Sequence, residues 1–489
     1  MTRGTPRAGG RSARRLVGDF FSLAGGEVLA KLAGIAAFGW LARALPSEAY
    51  GSVELAVALA AFFSLVVDFG FGPIGARELG TRPERAAELA AAVCAARLAL
   101  AGLAAAALGL LSFALDQPPE ARALIQIYAL SLLASPWNLN WLFQGLGAMS
   151  SVAIAQSTRV IVFALGVVAF VAVAQDLWKV GAVEVGAAAA MAATYLLAQR
   201  RRLGPVRLRP DLALARRLAA EAVPVGLGRI LWAANHYVST LLVATLVGGA
   251  ELAWFGAAHR IVTSLGTFVF LYHFNLYPQL VSSVRAGPAS LAALLLPSLR
   301  IASWVGVLGG LLGVALAEPA CRIVFGPDFA VAAPALAVLV WTLPASLLGS
   351  HARFALIAHG HQKSELAANA AGTAAVLALG LVCIGRWGAL GAAVAMLGST
   401  LVTWGMAQAL VRRQVGPLPF LSPLVRPVLA AVASVALAAW LPLESGFVAG
   451  LVGVAFYAAV APLLEPALVR DARALWRRSG VTRGGGAEP

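Results

Sequence analysis

Charge is what this chain has least of. Only 12% of its 489 residues are Asp, Glu, Lys or Arg, about half of the roughly 25% usual in soluble domains. Hydrophobic residues make up 60%, and the mean hydropathy is +0.83. So little charge cannot cover the surface of a water-soluble globule of this size, which excludes that class. Cysteine is scarce as well. Cys94, Cys321 and Cys383 stand alone, mostly within apolar runs, which argues against a disulfide framework or a thiolate metal site. Strand-like alternation of apolar and polar residues is missing, against a membrane β-barrel. So are the Walker, kinase and nucleophile-elbow motifs, so no nucleotide-driven engine is visible in the chain.

What is there is a series of long runs rich in Ala, Leu, Val and Gly. At 1.5 Å of rise per residue, about 20 such residues span a bilayer as a helix. The pattern predicts an all-α integral membrane protein with about fourteen spans. Two pseudo-symmetric six-helix lobes, at 19–199 and 218–411, are expected on either side of a basic linker at 200–217. Flanking these are a basic tail (1–18), a loop (412–423), a final helix pair (424–464) and a second tail (465–489).

Basic residues exceed acidic ones by 37 to 22, and the pI is near 10.9. In a soluble chain this would suggest nucleic acid; here topology accounts for it. With the N-terminus inside, the basic clusters all fall on the cytoplasmic side: the N-terminal tail, Arg77, Arg82 and Arg85, the linker, Arg412 and Arg413, and the C-terminal tail. Only Arg43, Arg122, Lys179, Arg322 and Arg386 fall outside, as the positive-inside rule requires. Nucleic acid is therefore not an expected partner. The Arg-rich start precedes a run too long for a signal h-region and lacks a small-residue cleavage pattern, so the first helix is expected to be retained.

The stretch from Glu27 to Gly72 organises the rest. Its two apolar runs flank a polar hinge around Pro46–Gly51 and carry Glu27, Lys31, Glu54 and Asp68. Setting Tyr50-Gly51 over Phe255-Gly256 brings Lys31 onto His236, Glu54 onto His259 and Asp68 onto His273. The second half then reads as a parallel repeat of the first, the arrangement of transporters whose site lies between repeats. Glu27 and Lys31, four apart, share a helix face, as a structural ion pair or as part of a site. Facing stripes of acid and imidazole would make a titratable cavity.

Ionisable groups inside a bilayer are functional candidates by default. Lys31, Arg97, Arg159, Arg229 and Arg300 all lie well inside their spans. The bland reading of Arg97, Arg159 and Arg300 is pairing with a carboxylate or snorkelling to an interface. The interior acids, Glu27, Glu54, Asp68 and Glu184, are too few to neutralise every cation. The surplus suits an anionic ligand, since Arg and Lys recognise phosphate. His359-Gly-His361 with Lys363 has no accompanying acid or Cys, so no metal is expected there.

Several short stretches carry a family likeness: LARALPSEAYG (41–51), DFGFG (68–72) with ARELG (76–80), LNWLFQGLGAM (139–149), VFGPDF (324–329) and AAPALAVLVW (332–341). The chain resembles the lipid-linked oligosaccharide flippases (O-antigen and polysaccharide exporters) of the MATE-like multidrug/oligosaccharidyl-lipid/polysaccharide (MOP) superfamily. The resemblance implies a monomeric, non-enzymatic carrier in the bacterial cytoplasmic membrane with both termini cytoplasmic. It implies alternating access without a cofactor, with H+ or Na+ as the coupling ion if there is one. The cargo would be a polyprenyl-diphosphate-linked glycan for surface polysaccharide, its tail in the membrane lipid along the last two spans. A polysaccharide polymerase and glycosyltransferases would be the protein partners. Lys31, Arg229, His236, His259, Arg260 and His273 would then meet the diphosphate. Glu27, Glu54 and Asp68 would couple an ion or hold those cations. The alternatives are a cation-coupled MATE-type antiporter, a lipid II flippase, or a membrane glycan polymerase or transferase. The short outer loops count against the last.

Overall fold

The computed structural model describes residues 30–204, 211–442, 445–468 and 470, and among them every regular element is helical. Among the described residues the α-helices follow one another, joined in places by short 3-10 turns. They are α1 (30–44), α2 (Ser47–Asp68), α3 (Phe71–Thr81), α4 (Ala86–Ala114), α5 (Pro119–Ser131), α6 (Asn140–Gly145), α7 (Met149–Phe170), α8 (Leu177–Leu203) and α9 (Leu212–Leu246). After these come α10 (Gly249–Ala286), α11 (Pro288–Ala315), α12 (Ala317–Phe325), α13 (Ala333–Leu339), α14 (Thr342–Ala358), α15 (Gln362–Gln414), α16 (Ser422–Trp440) and α17 (Gly446–Leu464).

Among the described residues nine helical segments are long and apolar enough to cross a membrane. The expected first span (19–44) begins outside the described residues, and those at 51–76 and 331–355 are each interrupted, between α2 and α3 and between α13 and α14. The expected fourth span, at 122–144, is broken into α5, a 3-10 turn holding Pro136, and α6. The expected eleventh and twelfth spans (364–384 and 388–411) are the two arms of α15, which folds back on itself at Gly388 (φ 52°, ψ −125°), so that Ser399 Oγ donates to the Gly372 carbonyl at 2.8 Å. Backbone groups left without a helical partner at the turn need a substitute. The Glu251 carboxylate provides it by accepting from the Ala389 N–H at 2.7 Å.

The helices group into two compact units: residues 1–46 with 59–230, and residues 47–58 with 231–489. The division runs through α2 and α9, so each of these helices gives its two ends to different units.

In the first unit the DFGFG stretch makes the turn between α2 and α3, with Phe69 and Gly70 both at positive φ (36° and 83°). The turn lies directly on the backbone of α9. A Cβ on Gly70 would come within 2.8 Å of the Ala222 carbonyl oxygen, and one on Gly226 within 2.7 Å of the Phe69 carbonyl oxygen. The LNWLFQG stretch fills the core beneath. Trp141 covers Gly75, and Phe143 stacks on Tyr195 with ring centroids 5.8 Å apart.

In the second unit Tyr50 packs edge-on against Phe325 and Phe329 at 6.3 and 5.3 Å. The aromatic residues of VFGPDF thereby anchor the first turns of α2. Helices α16 and α17 rest on α11 through a cluster of Trp304, Ala430, Ala431 and Tyr457.

The Gly70–Gly226 crossing should tolerate no side chain. Gly226→Val is expected to lose about 1–3 kcal/mol through overpacking, seen as a lower melting temperature in detergent. Gly228→Val, where a Cβ meets nothing within 4 Å, should melt close to wild type.

Candidate functional site

An ionised side chain inside hydrocarbon is costly unless it is paired, and the interior arginines of this chain are paired. In the first unit Asp68, the last residue of α2, accepts from two guanidiniums at once. Arg97 Nη2 donates to Oδ1 and Arg229 Nη1 to Oδ2. Arg97 also donates to the Asn138 carbonyl at 3.0 Å; its side chain is only 4% exposed, and its Nε has no partner. The arrangement follows from small residues nearby. Gly226 lets α9 approach, and Arg229 lies three residues on, along the same face. A Cβ on Gly72 would lie 3.2 Å from Asp68 Oδ1.

One carboxylate between two guanidiniums leaves a net charge of +1. Arg229 is 40% exposed, and its Nη1 bond to Asp68 leaves Nε and Nη2 available as donors. Both oxygens of Asp68 are taken up with guanidiniums, which is the geometry of a charge holder. More ion pairs tie α3 to the start of α9, Arg77 with Glu221 and Arg217 with Glu78 (2.9 Å). Lys31 is half-buried on α1; Glu27 lies outside the described residues.

In the second unit Glu54 receives a two-pronged bond from Arg260, Nε to Oε1 at 3.0 Å and Nη2 to Oε2 at 2.7 Å. This is the strong geometry for a guanidinium and a carboxylate. Gly256 makes room for it, since a Cβ there would lie 2.8 Å from Glu54 Cδ. His259 stacks on Phe255 with centroids 5.4 Å apart, its Nε2 buried with no hydrogen-bond partner. His236 and Arg260 are within electrostatic range of that ring. The structure thus gathers His236, His259 and Arg260, and pairs Glu54 with Arg260 rather than with an imidazole.

His273 is placed elsewhere. It is 1% exposed, 14 residues further along α10, or about 21 Å at helical rise. Its Nδ1 is 2.9 Å from the Val269 carbonyl, and Nδ1 of His351 on α14 is 2.8 Å from that of Leu347. A carbonyl only accepts, so Nδ1 carries the hydrogen on both rings. His273 Nε2 then faces His351 Nδ1 at 3.2 Å, and His351 Nε2 accepts from Ser298 at 2.8 Å. Ser298 in turn bonds Tyr272 at 2.6 Å. Two neutral imidazoles satisfy this network completely, and it belongs to the core. His351 was not singled out in the sequence, since its only signal is a lone histidine inside an apolar run.

The remaining interior cations take the bland reading. Arg159 pairs with Glu184, and Arg300 lies 3.5 Å from Glu465, which also binds Arg426 at 3.0 Å. Glu465 immediately follows α17. Arg353–Glu365 is a further pair the sequence did not reveal.

Residues 16–284, more than half of the chain, match the polysaccharide biosynthesis protein family. The chain belongs to that family. The match contains all of the residues that form the Asp68 and Glu54 centres. No curated protein matches the sequence. Among solved structures, the fold is similar to that of the lipid II flippase MurJ in an inward closed conformation. The TM-score is 0.69 at 12% identity, over 92% of this chain and all of that one. An inward-facing multidrug resistance MATE family transporter of the MOP superfamily scores 0.62 at 15% identity, over 82% and 95% of the two chains. A MOP superfamily transporter from Pyrococcus furiosus scores 0.51 at 14%, over 80% and 93%. This member of the polysaccharide biosynthesis protein family thus has the multi-pass helical fold of MOP-type flippases and transporters.

Removing the charge of Asp68 would leave Arg97 buried without its carboxylate. Asp68→Asn should therefore cost about 3–5 kcal/mol, read as lost folded yield and a lower melting temperature. Arg229→Gln, at a half-exposed guanidinium, should cost far less. Adding Arg97→Met to Asp68→Asn should recover part of the loss. Equal melting of Asp68→Asn and wild type would contradict this assignment.

Proposed function

We propose that this protein is a flippase that moves a polyprenyl-diphosphate-linked oligosaccharide from the cytoplasmic to the outer leaflet of the bacterial cytoplasmic membrane by alternating access. It would serve surface polysaccharide assembly as a carrier rather than an enzyme, with both termini cytoplasmic. The observation that carries this reading is the stoichiometry at Asp68. One acid holds two guanidiniums, and the half-exposed Arg229 keeps donors that are not engaged. A residual positive charge with guanidinium donors in a low-dielectric setting is what a diphosphate needs. Within the second unit, His259 has a buried imidazole nitrogen without a partner, beside His236 and Arg260. Membership of the polysaccharide biosynthesis protein family supports a glycan-linked cargo.

In this reading Asp68 and Glu54 position cations. If transport is coupled to H+ or Na+, the coupling group is neither of them, because their oxygens already accept from guanidiniums. A small-molecule antiporter would have no use for a surplus guanidinium aimed at an anion.

The test is flipping in proteoliposomes with a fluorescent polyprenyl-diphosphate oligosaccharide. Arg229→Ala is expected to lower the rate at least about tenfold, the effect of 1.4 kcal/mol, and Lys31→Ala should also slow it. Wild-type rates in both variants would reject diphosphate capture by these side chains. Lipid II moved faster than the oligosaccharide would replace the exporter with a lipid II flippase.

A further inference from the structure

One cavity takes no part in either ion-pair centre. It lies within the second unit, among α11, α12, α16 and α17. The α16–α17 pair is fastened to α11 at one end. There the Tyr457 hydroxyl donates to the Trp304 carbonyl at 3.2 Å, and Glu465 bridges Arg426 and Arg300. Nearer the α16–α17 turn is a space of about 860 Å³, walled by Leu311, Ala315, Val435, Ala438, Gly450 and Val454 among others. That is toward the upper end of the roughly 300–1,000 Å³ typical of pockets that enclose a whole small molecule.

Two features say what fills it. The first is the walls. Water enters a cavity only where polar partners await it, and away from the α12 rim and Ser445 the walls are largely hydrocarbon. The hydroxyl of Ser434 is already donated to the Ala430 carbonyl at 2.7 Å. The surrounding medium is lipid, so a hydrocarbon chain is the occupant at hand.

The second is the rim. Glu318 and Arg322, one turn apart on α12, line the cavity as a 3.2 Å pair with side chains 60% and 56% exposed. An exposed pair of this kind contributes roughly 0–1 kcal/mol, so a ligand carrying both charges can replace it with little loss. We propose that the cavity holds an acyl chain of one zwitterionic, amine-headed glycerophospholipid, whose ammonium meets Glu318 and whose phosphate meets Arg322. Such a lipid would wedge the final helix pair against α11 and complete the packing there.

The experiment is native mass spectrometry of the full chain, purified in mild detergent and exposed to equimolar phosphatidylethanolamine and phosphatidylglycerol. Wild type should retain a single phosphatidylethanolamine. Ala438→Phe, which fills the cavity, should retain it at least about tenfold less. Glu318→Gln with Arg322→Gln, both on the surface and harmless to folding, should remove the preference for phosphatidylethanolamine. Undiminished retention in a folded Ala438→Phe, or an unchanged preference in the double variant, overturns the proposal. So does preferential retention of phosphatidylglycerol or of an added polyprenyl phosphate. No transport is measured, so the outcome is independent of the flippase reading.

Discussion

A guanidinium cannot be left alone in hydrocarbon, and much of this structure follows from that constraint. Arg97, Arg159, Arg229, Arg260 and Arg300 lie on different helices, and each meets a carboxylate from another part of the chain. The pairs cross-link helices that otherwise touch through small apolar side chains. The ratio of partners also differs between centres. Arg260 and Arg159 each have one acid, whereas Asp68 and Glu465 are each shared by two arginines. Where two cations share one acid, a positive charge is left over, and at Asp68 it falls on a half-exposed side chain.

Glycine makes these contacts possible. An arginine and a carboxylate on neighbouring helices bond directly only if the helix axes come close. Gly256 beside Glu54, Gly72 beside Asp68 and Gly226 beside the α2–α3 turn leave that room. In a membrane, small residues at helix crossings replace the missing hydrophobic drive for association. Here they also set which ion pairs can form. The abundance of Gly and Ala in the composition and the pairing of its few charges are thus one design.

Much of this was legible in the sequence, and the limits are physical. Hydropathy finds helices because the bilayer demands a long apolar run, so the span pattern and the helix pair at the end were readable. The break between α5 and α6 was not, because Pro136 acts through local geometry rather than hydropathy. The interior charges were readable as exceptions, but their partners were not. Asp68 was matched by register with His273, yet it bonds Arg97 and Arg229, 29 and 161 residues away. The repeat register orders elements along the chain; it does not say which side chain bridges which helices. Glu465 sits beyond a span end, where hydropathy assigns no role, yet its long side chain reaches Arg300.

The histidines show how structure separates what composition groups together. His259 and His273 lie on the same helix in similarly apolar surroundings, and sequence alone ranks them equally. His273 has a partner at each nitrogen, so a ligand anion there would have to displace Val269 or His351 from a bond already made. His259 has a buried nitrogen without a partner, next to an arginine whose carboxylate lies on another helix. A buried polar atom left unsatisfied costs about 1–3 kcal/mol, and a fold keeps such an atom most readily where something else completes it. Of the two rings, His259 is the one with a nitrogen open to a further partner, and it stands beside His236 and Arg260.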